Sequence, residues 1–439
     1  MRKRIWVLML LTAACLLCAC QLRTVDQMYQ VPKRPQSYND LQSVMDAAMV
    51  GMEYSAPRSG ENQQTVQMAD LDGDGIREYL VFAKSNDDKP LRILIFSQKG
   101  GSYVLLDTIV CTGASFDLVE YVQMDDVGGM EIVVGCQISD QLPRSVCVYR
   151  LHDNQISQLL STNYTKFLTS DLDSDGRTEV MVLQSGETDD DYGIVALYGM
   201  EGGAIERSNE VKMSGPANKL KRIITGNLHG GIPAVYVAST VGESAIITDV
   251  YALVNGVFTN VSLSNESGTS VQTLRNYYVY ADDIDEDGEV ELPSLMTMKP
   301  LAQSHSSDRK DLIRWYAMGV DGTEIDKMHT YHNFVGGWYL QLDPEWAHRV
   351  SVNQTGSEFA FYLWDKNYRS AEKIFSVFTL TEQNREELAV LDNRFSLHKS
   401  ESVIYAARLE VASGALRITQ NDLIESFHLI RQDWKTGEM

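Results

Sequence analysis

The chain has 439 residues, 44% apolar and 22% charged, with only 31 glycines and 10 prolines. That composition excludes wholesale disorder and leaves room for two to four domains. The formal charge is −22, and loss of an N-terminal segment carrying Arg2, Lys3 and Arg4 takes it to −25; a chain this acidic repels phosphate backbones and attracts cations, which argues against nucleic acid as a partner.

The first segment reads as targeting rather than fold. MRKR precedes an apolar run, residues 5–17, too short to span a bilayer but fitting the h-region of a secretory signal. It ends in Leu17-Cys18-Ala19-Cys20, which resembles the bacterial lipobox: a branched apolar residue, a tolerant position, a small residue, then the lipid-accepting cysteine. The resemblance implies a signal peptide over 1–19, a lipid on Cys20 and an extracytoplasmic chain anchored to the bacterial cell membrane. Two acyl chains on one cysteine suffice for stable anchoring, and no later stretch reaches about 18 apolar residues. Residues 20–36, with Lys33-Arg34-Pro35, read as a polar tether. Only Cys111, Cys136 and Cys147 then remain for the folded part, which excludes a disulfide-rich scaffold. Cys136 and Cys147 flank the turn-rich segment 139–144 symmetrically, so a hairpin would set them roughly opposite each other. A bridge and two small buried hydrophobes are both open readings there.

Residues 37–49 space Leu41, Met45 and Met49 four apart, predicting a short helix packed on the folded body. The dominant signal lies beyond it: DLDGDGIRE at 70–78, DLDSDGRTE at 171–179 and DIDEDGEVE at 283–291. Each loop places carboxylates at positions 1, 3, 5 and 9 with glycine at 6. These are Asp70, Asp72, Asp74 and Glu78; Asp171, Asp173, Asp175 and Glu179; and Asp283, Asp285, Asp287 and Glu291. Alternating carboxylates on a tight turn converge on one hard cation, and calcium suits so dense a cage better than magnesium, which wants fewer protein ligands. Two degenerate copies intervene. Residues 123–131 keep Asp125, Gly128 and Glu131, and residues 227–231 keep little beyond the glycines, so neither is expected to hold an ion tightly. The starts at 70, 123, 171, 227 and 283 lie 53, 48, 56 and 56 residues apart, the length of one four-stranded propeller blade.

The residues just after each loop separate families that share its ligands. Residues 79–82, 132–134 and 180–183 are short β-branched and aromatic runs that read as strands, whereas an EF-hand loop would lead into a helix. The complete loops therefore resemble FG-GAP or VCBS calcium-loop repeats of integrin-like β-propellers, over residues 64–330. They depart from the pattern in a final Glu where Asp is frequent, and in lacking the Phe-Gly and Gly-Ala-Pro signature. Within the first repeat, strands are predicted at 78–84, 92–97, 103–110 and 118–123, and five such repeats give five blades. The last repeat, with strands at 312–318 and 324–329, lacks a fourth, so residues 65–69 are expected to complete it and close the ring. The expected fold is thus mainly β: a five-bladed propeller with its helix over 37–330, then a small α+β domain over 331–439.

That last region predicts strands at 350–352, 359–364, 375–380, 395–398 and 403–409, and a helix at 421–434 with Leu423, Phe427, Ile430 and Trp434 on one face. Its opening, GWYLQLDPEW at 337–346, resembles small Mog1/PsbP-type domains of bacterial lipoproteins, with both tryptophans read as core. No HExxH, GxSxG, CxxC or phosphate-binding glycine loop is present. His329 and His332 could share a metal or form a surface pair, and Asp189-Asp190-Asp191 reads as a solvated loop. The function expected is binding of an extracellular protein or glycan by a membrane-anchored, calcium-stabilised propeller. The alternative is a secreted glycan-processing enzyme with paired carboxylates in the propeller channel.

Overall fold

A computed structural model of the chain describes residues 36–138, 144–188, 191–276, 279–301, 310–410 and 416–431. The signal, Cys20 and all of the tether but Gln36 lie outside the described residues, as do the turn at 139–143, Asp189, Asp190 and Trp434.

The fold is mainly β, built as six antiparallel sheets that succeed one another along the chain. Sheet 1 holds β1 (Glu53–Tyr54), β2 (Val66–Ala69), β3 (Glu78–Lys84), β4 (Leu91–Lys99) and β5 (Ser102–Cys111). Sheet 2 is β6 (Ser115–Val122), β7 (Glu131–Gln137), β8 (Arg144–His152) and β9 (Gln155–Tyr164). Sheet 3 is β10 (Lys166–Ser170), β11 (Glu179–Gln184), β12 (Ile194–Glu201), β13 (Ala204–Arg207) and β14 (Val211–Lys212). Sheet 4 is β15 (Leu220–Leu228), β16 (Ile232–Val241), β17 (Ala245–Val254) and β18 (Val257–Asn260). Sheet 5 takes β19 (Glu291–Thr297), β20 (Asp311–Met318), β21 (Glu324–Asn333) and β22 (Trp338–Leu342). Sheet 6 takes β23 (Val350–Thr355), β24 (Glu358–Trp364), β25 (Ala371–Leu380), β26 (Phe395–Lys399) and β27 (Ile404–Leu409); a last strand, β28 (Phe427–Leu429), returns to sheet 5.

Burial along the strands explains why they read as near-continuous apolar runs. In sheet 1, β3 is buried on both faces while the edge strand β5 is mostly half-buried or exposed, as expected where sheets stack face to face. Leu80, Phe82 and Ile93 of sheet 1 pack on Phe116, Ile132 and Val134 of sheet 2. Val133 and Val148 meet Val180 and Val182; Met181 and Val195 meet Val235 and Tyr251; Tyr236 and Val250 meet Leu292 and Tyr316. Trp338 and Leu340 of sheet 5 then meet Phe361 and Phe375 of sheet 6. Each such side chain contributes about 1.5–3 kcal/mol by leaving water. The helix α1 (Gln36–Ala48) sets Leu41 and Met45 on Val81, Leu94 and Phe96, with Met49 just beyond its end joining them, so the predicted spacing covers the outer face of sheet 1. Over sheet 6, Phe378, Leu380 and Ile404 pack with Leu388 of the short helix α2 (Arg385–Leu388) and with Ala389. Among the described residues, no apolar cluster joins sheet 1 to sheets 5 or 6.

Several expectations are corrected. The strand expected to complete the last repeat, β2, pairs instead with β3 of its own sheet, Val66 with Val81 and Ala69 with Glu78, because the tight 70–77 turn folds it straight back. The fourth strand of sheet 5 is β22, paired with β21 from His329–Leu342 to Asn333–Trp338. A boundary between residues 330 and 331 consequently falls inside β21. The C-terminal helix is only α3 (Gln420–Ser426), capped reciprocally by Thr419 and Asp422. From Phe427 the chain is extended, pairing Phe427 with Leu340 and Leu429 with Trp338, which carries the Phe427 ring to 5.7 Å from that of Trp338. Cys136 faces Ser145 while Cys147 faces Val134, two residues out of register for a bridge, and the three cysteines are free. His332 is buried, its ring stacked 4.9 Å from that of Tyr339. It lies three residues from His329 on one strand, hence on the opposite face, so the two share no ion.

Candidate metal centres

In the first and third copies the acidic loop is the turn between paired strands, β2 with β3 and β10 with β11, whereas in the fifth it follows an isolated bridge of Asp282 with Glu291; in each the final Glu opens a strand, Glu78 in β3, Glu179 in β11 and Glu291 in β19. The turn needs left-handed backbone at positions 4 and 6. Gly75, Gly176 and Gly288 supply it at position 6 with φ of +84°, +86° and +88°, whereas at position 4 Gly73 stands beside the less suited Ser174 and Glu286 at φ +60° and +59°. At Gly73 a Cβ would also lie 2.1 Å from the Gly128 carbonyl oxygen.

The loops dock on their neighbours. Met130 donates its N–H to the Asp70 carbonyl at 3.0 Å, Thr178 to that of Gln123 at 2.7 Å, and Val290 to that of Asn227 at 2.9 Å. First and second, second and third, and fourth and fifth copies thus touch.

In all three complete copies the carboxylates of positions 1, 3 and 9 converge. Asp70, Asp72 and Glu78 form one group; Asp171, Asp173 and Glu179 another; Asp283, Asp285 and Glu291 the third, each with one oxygen per residue inside 4.8 Å. The position-1 aspartate also binds the turn, as when Asp70 Oδ1 accepts from Gly73 at 2.8 Å and Oδ2 from Gly75 at 3.0 Å. The position-9 glutamate accepts the N–H of position 2 through Oε2: Leu71 at 3.0 Å, Leu172 at 2.9 Å and Ile284 at 3.1 Å. The position-5 aspartates stand outside these groups. Asp74 accepts from Ile76 N–H at 2.7 Å, Asp175 is held by Arg177, and Asp287 receives Lys327 Nζ at 2.5 Å.

Glu78 and Glu291 are wholly buried, and the Oε1 atom of each has no hydrogen-bond partner. The Ser97 hydroxyl lies near enough to lower the Glu78 carboxyl without meeting hydrogen-bond geometry. Burial pushes the carboxyl of Glu78 up, that of Glu179 up to about 7 and that of Glu291 up to about 8; the loop aspartates add to the rise and the position-2 N–H opposes it. Asp173 and Asp285 are raised for the same two reasons, burial first and like charge after it. An ionised carboxylate in such a place is stabilised by an opposite charge. The donor set, all carboxylate oxygen on a tight loop, fits a hard divalent ion and above all calcium.

Two sets of residues escaped the sequence reading because they lie far along the chain from the loops they serve. In the second copy, Arg150 of β8 donates Nε to Glu131 Oε1 at 2.8 Å and also binds Asp125. In the fourth and fifth, Glu289 receives Lys327 Nζ at 2.8 Å, Gly230 N–H at 2.8 Å and the His229 ring at 3.1 Å.

No family model and no curated protein matches the chain. Among solved structures it is similar to the exotype rhamnogalacturonan lyase YesX, at 12% identity over 74% of this chain and 65% of that one, with a TM-score of 0.29. It is similar also to rhamnogalacturonan lyase YesW, at 14% over 68% and 57% with a TM-score of 0.31. The third is the Bacillus licheniformis rhamnogalacturonan lyase PL11, at 12% over 73% and 72% with a TM-score of 0.26. The chain spans only 65% and 57% of the length of the first two. At TM-scores this low the likenesses carry no argument about fold or activity.

Proposed function

We propose that this chain is an extracytoplasmic lipoprotein, anchored to the bacterial cell membrane through Cys20, whose repeats bind calcium and whose surface binds an extracellular protein or glycan. In this reading sheets 1 to 5 are the blades of a propeller-type array, supported by the repeat of about 50 residues and by the face-to-face apolar seams between consecutive sheets. The observation that carries the ion reading is Glu291 Oε1, a buried carboxylate oxygen with no partner, standing among Asp283 and Asp285. Glu78 Oε1 repeats it in the first loop beside Asp70 and Asp72.

Positions 1, 3 and 9 of each loop would hold the ion. Calcium would supply the positive charge that lets three neighbouring carboxylates stay ionised, and so pin the loop that leads into each strand. The chain's own contribution is to hold those carboxylates: the position-2 N–H orients the glutamate, and the left-handed turn brings the aspartates round. Because the loops dock on one another, fixing a turn also fixes the seam between sheets, which suits a scaffold role.

Calcium titration of the purified full-length protein by calorimetry, with protein and glycan arrays run in calcium and in chelator, tests this reading. Three bound ions, with array binding that persists in folded Asp171→Ala, Asp70→Ala and Asp283→Ala proteins, are expected. Absence of calcium heat and of any shift in melting would sink it. Mass spectrometry of the membrane fraction should find a diacylated Cys20, lost in Cys20→Ser, and a freely secreted unmodified protein would reject the anchor.

A further inference from the structure

We infer that the second acidic loop is also a cation site, and that its cation is built in: the guanidinium of Arg150 stands where the complete loops take a divalent ion. The inference rests on the ion reading of those loops. Glu131 repeats the part of Glu78, Glu179 and Glu291, since its Oε2 accepts the Met124 N–H at 2.9 Å. Its Oε1, the atom left unpartnered in Glu78 and Glu291, receives Arg150 Nε at 2.8 Å, and Arg150 Nη2 approaches it at 2.8 Å as well. The same guanidinium reaches Asp125, the position-3 carboxylate. A planar fork that spans two carboxylates is the geometry for which arginine is suited.

The rest of the repeat agrees. Arg150 comes directly after Tyr149, which pairs with Ile132, so it lies across from Glu131. The residues across from the other three glutamates are small: Ala317 pairs with Glu291, while Ser97 and Gly199 come directly after Phe96 and Tyr198, the partners of Tyr79 and Val180. Charge agrees too. The second loop has Gln123 at position 1, so its two facing carboxylates need only a monovalent partner close by, whereas the three converging carboxylates of a complete loop call for a divalent ion. Where the third copy has Gly199 a cleft of about 450 Å³ opens beside Asp173 and Glu179. A Cβ added at Gly199 would meet only Glu179 Cγ, at 3.6 Å, so there is room for the side chain that the second copy carries.

The test exchanges ion and guanidinium in both directions. In the full-length protein, Gly199→Arg should lower the calcium stoichiometry from three to two, raise the melting temperature in chelator and shrink the shift that calcium causes. Arg150→Ser should lower the melting temperature by several degrees in chelator, and Arg150→Ser with Gln123→Asp should take up a fourth ion that restores it. Unchanged stoichiometry and melting in Gly199→Arg, or an Arg150→Ser protein that melts as the wild type does, would overturn the assignment. A wild type that takes up no calcium would refute the ion reading of the complete loops. The assignment would fall with it, and a loss of several degrees in Arg150→Ser would then report only the ion pair of Arg150 with Glu131 and Asp125.

Discussion

Replacing Glu291 by glutamine should raise stability without calcium and lower it with calcium, a reversal that few other roles for the residue would produce. Glu291 is wholly buried, its Oε2 accepts from Ile284 N–H at 3.1 Å, and its Oε1 has no partner. Asp283 and Asp285 stand within 4.8 Å of it, and burial with these like charges lifts the carboxyl to about 8, so without an ion it must take up a proton to fold near neutral pH. Glutamine keeps the size and the acceptor for Ile284, removes the charge, and offers an amide N–H to the aspartates. A buried polar atom left unpaired costs about 1–3 kcal/mol, which bounds the gain of the variant in chelator. With calcium the wild type gains RT ln(1 + [L]/Kd); at a Kd of about 0.1 mM, within the range of extracellular modules, about 10 mM calcium contributes about 2.7 kcal/mol. The variant should lose most of that. Urea unfolding in EGTA and in calcium measures both differences. A variant destabilised equally in the two buffers would refute the reading that Glu291 Oε1 faces an ion.

Three further outcomes are expected. A chain ending after Thr330 should fail to give a cooperative melt, because it cuts β21 and removes β22 and β28 from sheet 5, uncovering Trp315, which is fully buried in the intact protein and packs with Tyr339; a sharp transition by circular dichroism would contradict this. Burial pushes the His332 imidazole down to about 3, so it is neutral when folded and the stability it contributes is whole above its unfolded value near 6.5 and is lost as pH falls below that. Between pH 6.5 and 5 the loss is about 2 kcal/mol, and His332→Phe, which keeps the stack on Tyr339, should flatten the stability curve there by that amount in urea titrations at the two pH values. Finally, Cys111 and Cys136 are buried while Cys147 is partly exposed, so brief alkylation of the folded protein should label Cys147 first; mass spectrometry that finds all three labelled equally would speak against this core.

The acidic loops and the strands behind them were legible in the sequence because both are local. Carboxylates two residues apart with glycine at position 6 describe one turn, and apolar runs describe one strand, so β3, β4, β24 and β25 were expected within a few residues of where they lie. The helix at 36–48 was legible for the same reason, its spacing of four matching a single buried stripe. Which strand pairs with which was not. Residues 65–69 have the same alternation whether they complete the last sheet or fold back on β3, and only the pairing of Ala69 with Glu78 decides it. The segment 427–429 continued a helical pattern with Phe427 and Ile430, yet it is a strand, since the edge of β22 offers backbone partners and the Trp338 ring a place for Phe427. Arg150 carried no signal at all: nineteen residues separate it from Glu131, and only the antiparallel return of β8 alongside β7 brings the guanidinium to the carboxylate. Spacing along the chain encodes what a turn or a strand does by itself, whereas the partner that satisfies a buried charge is chosen by register between strands, and register is set by the packing of whole sheets.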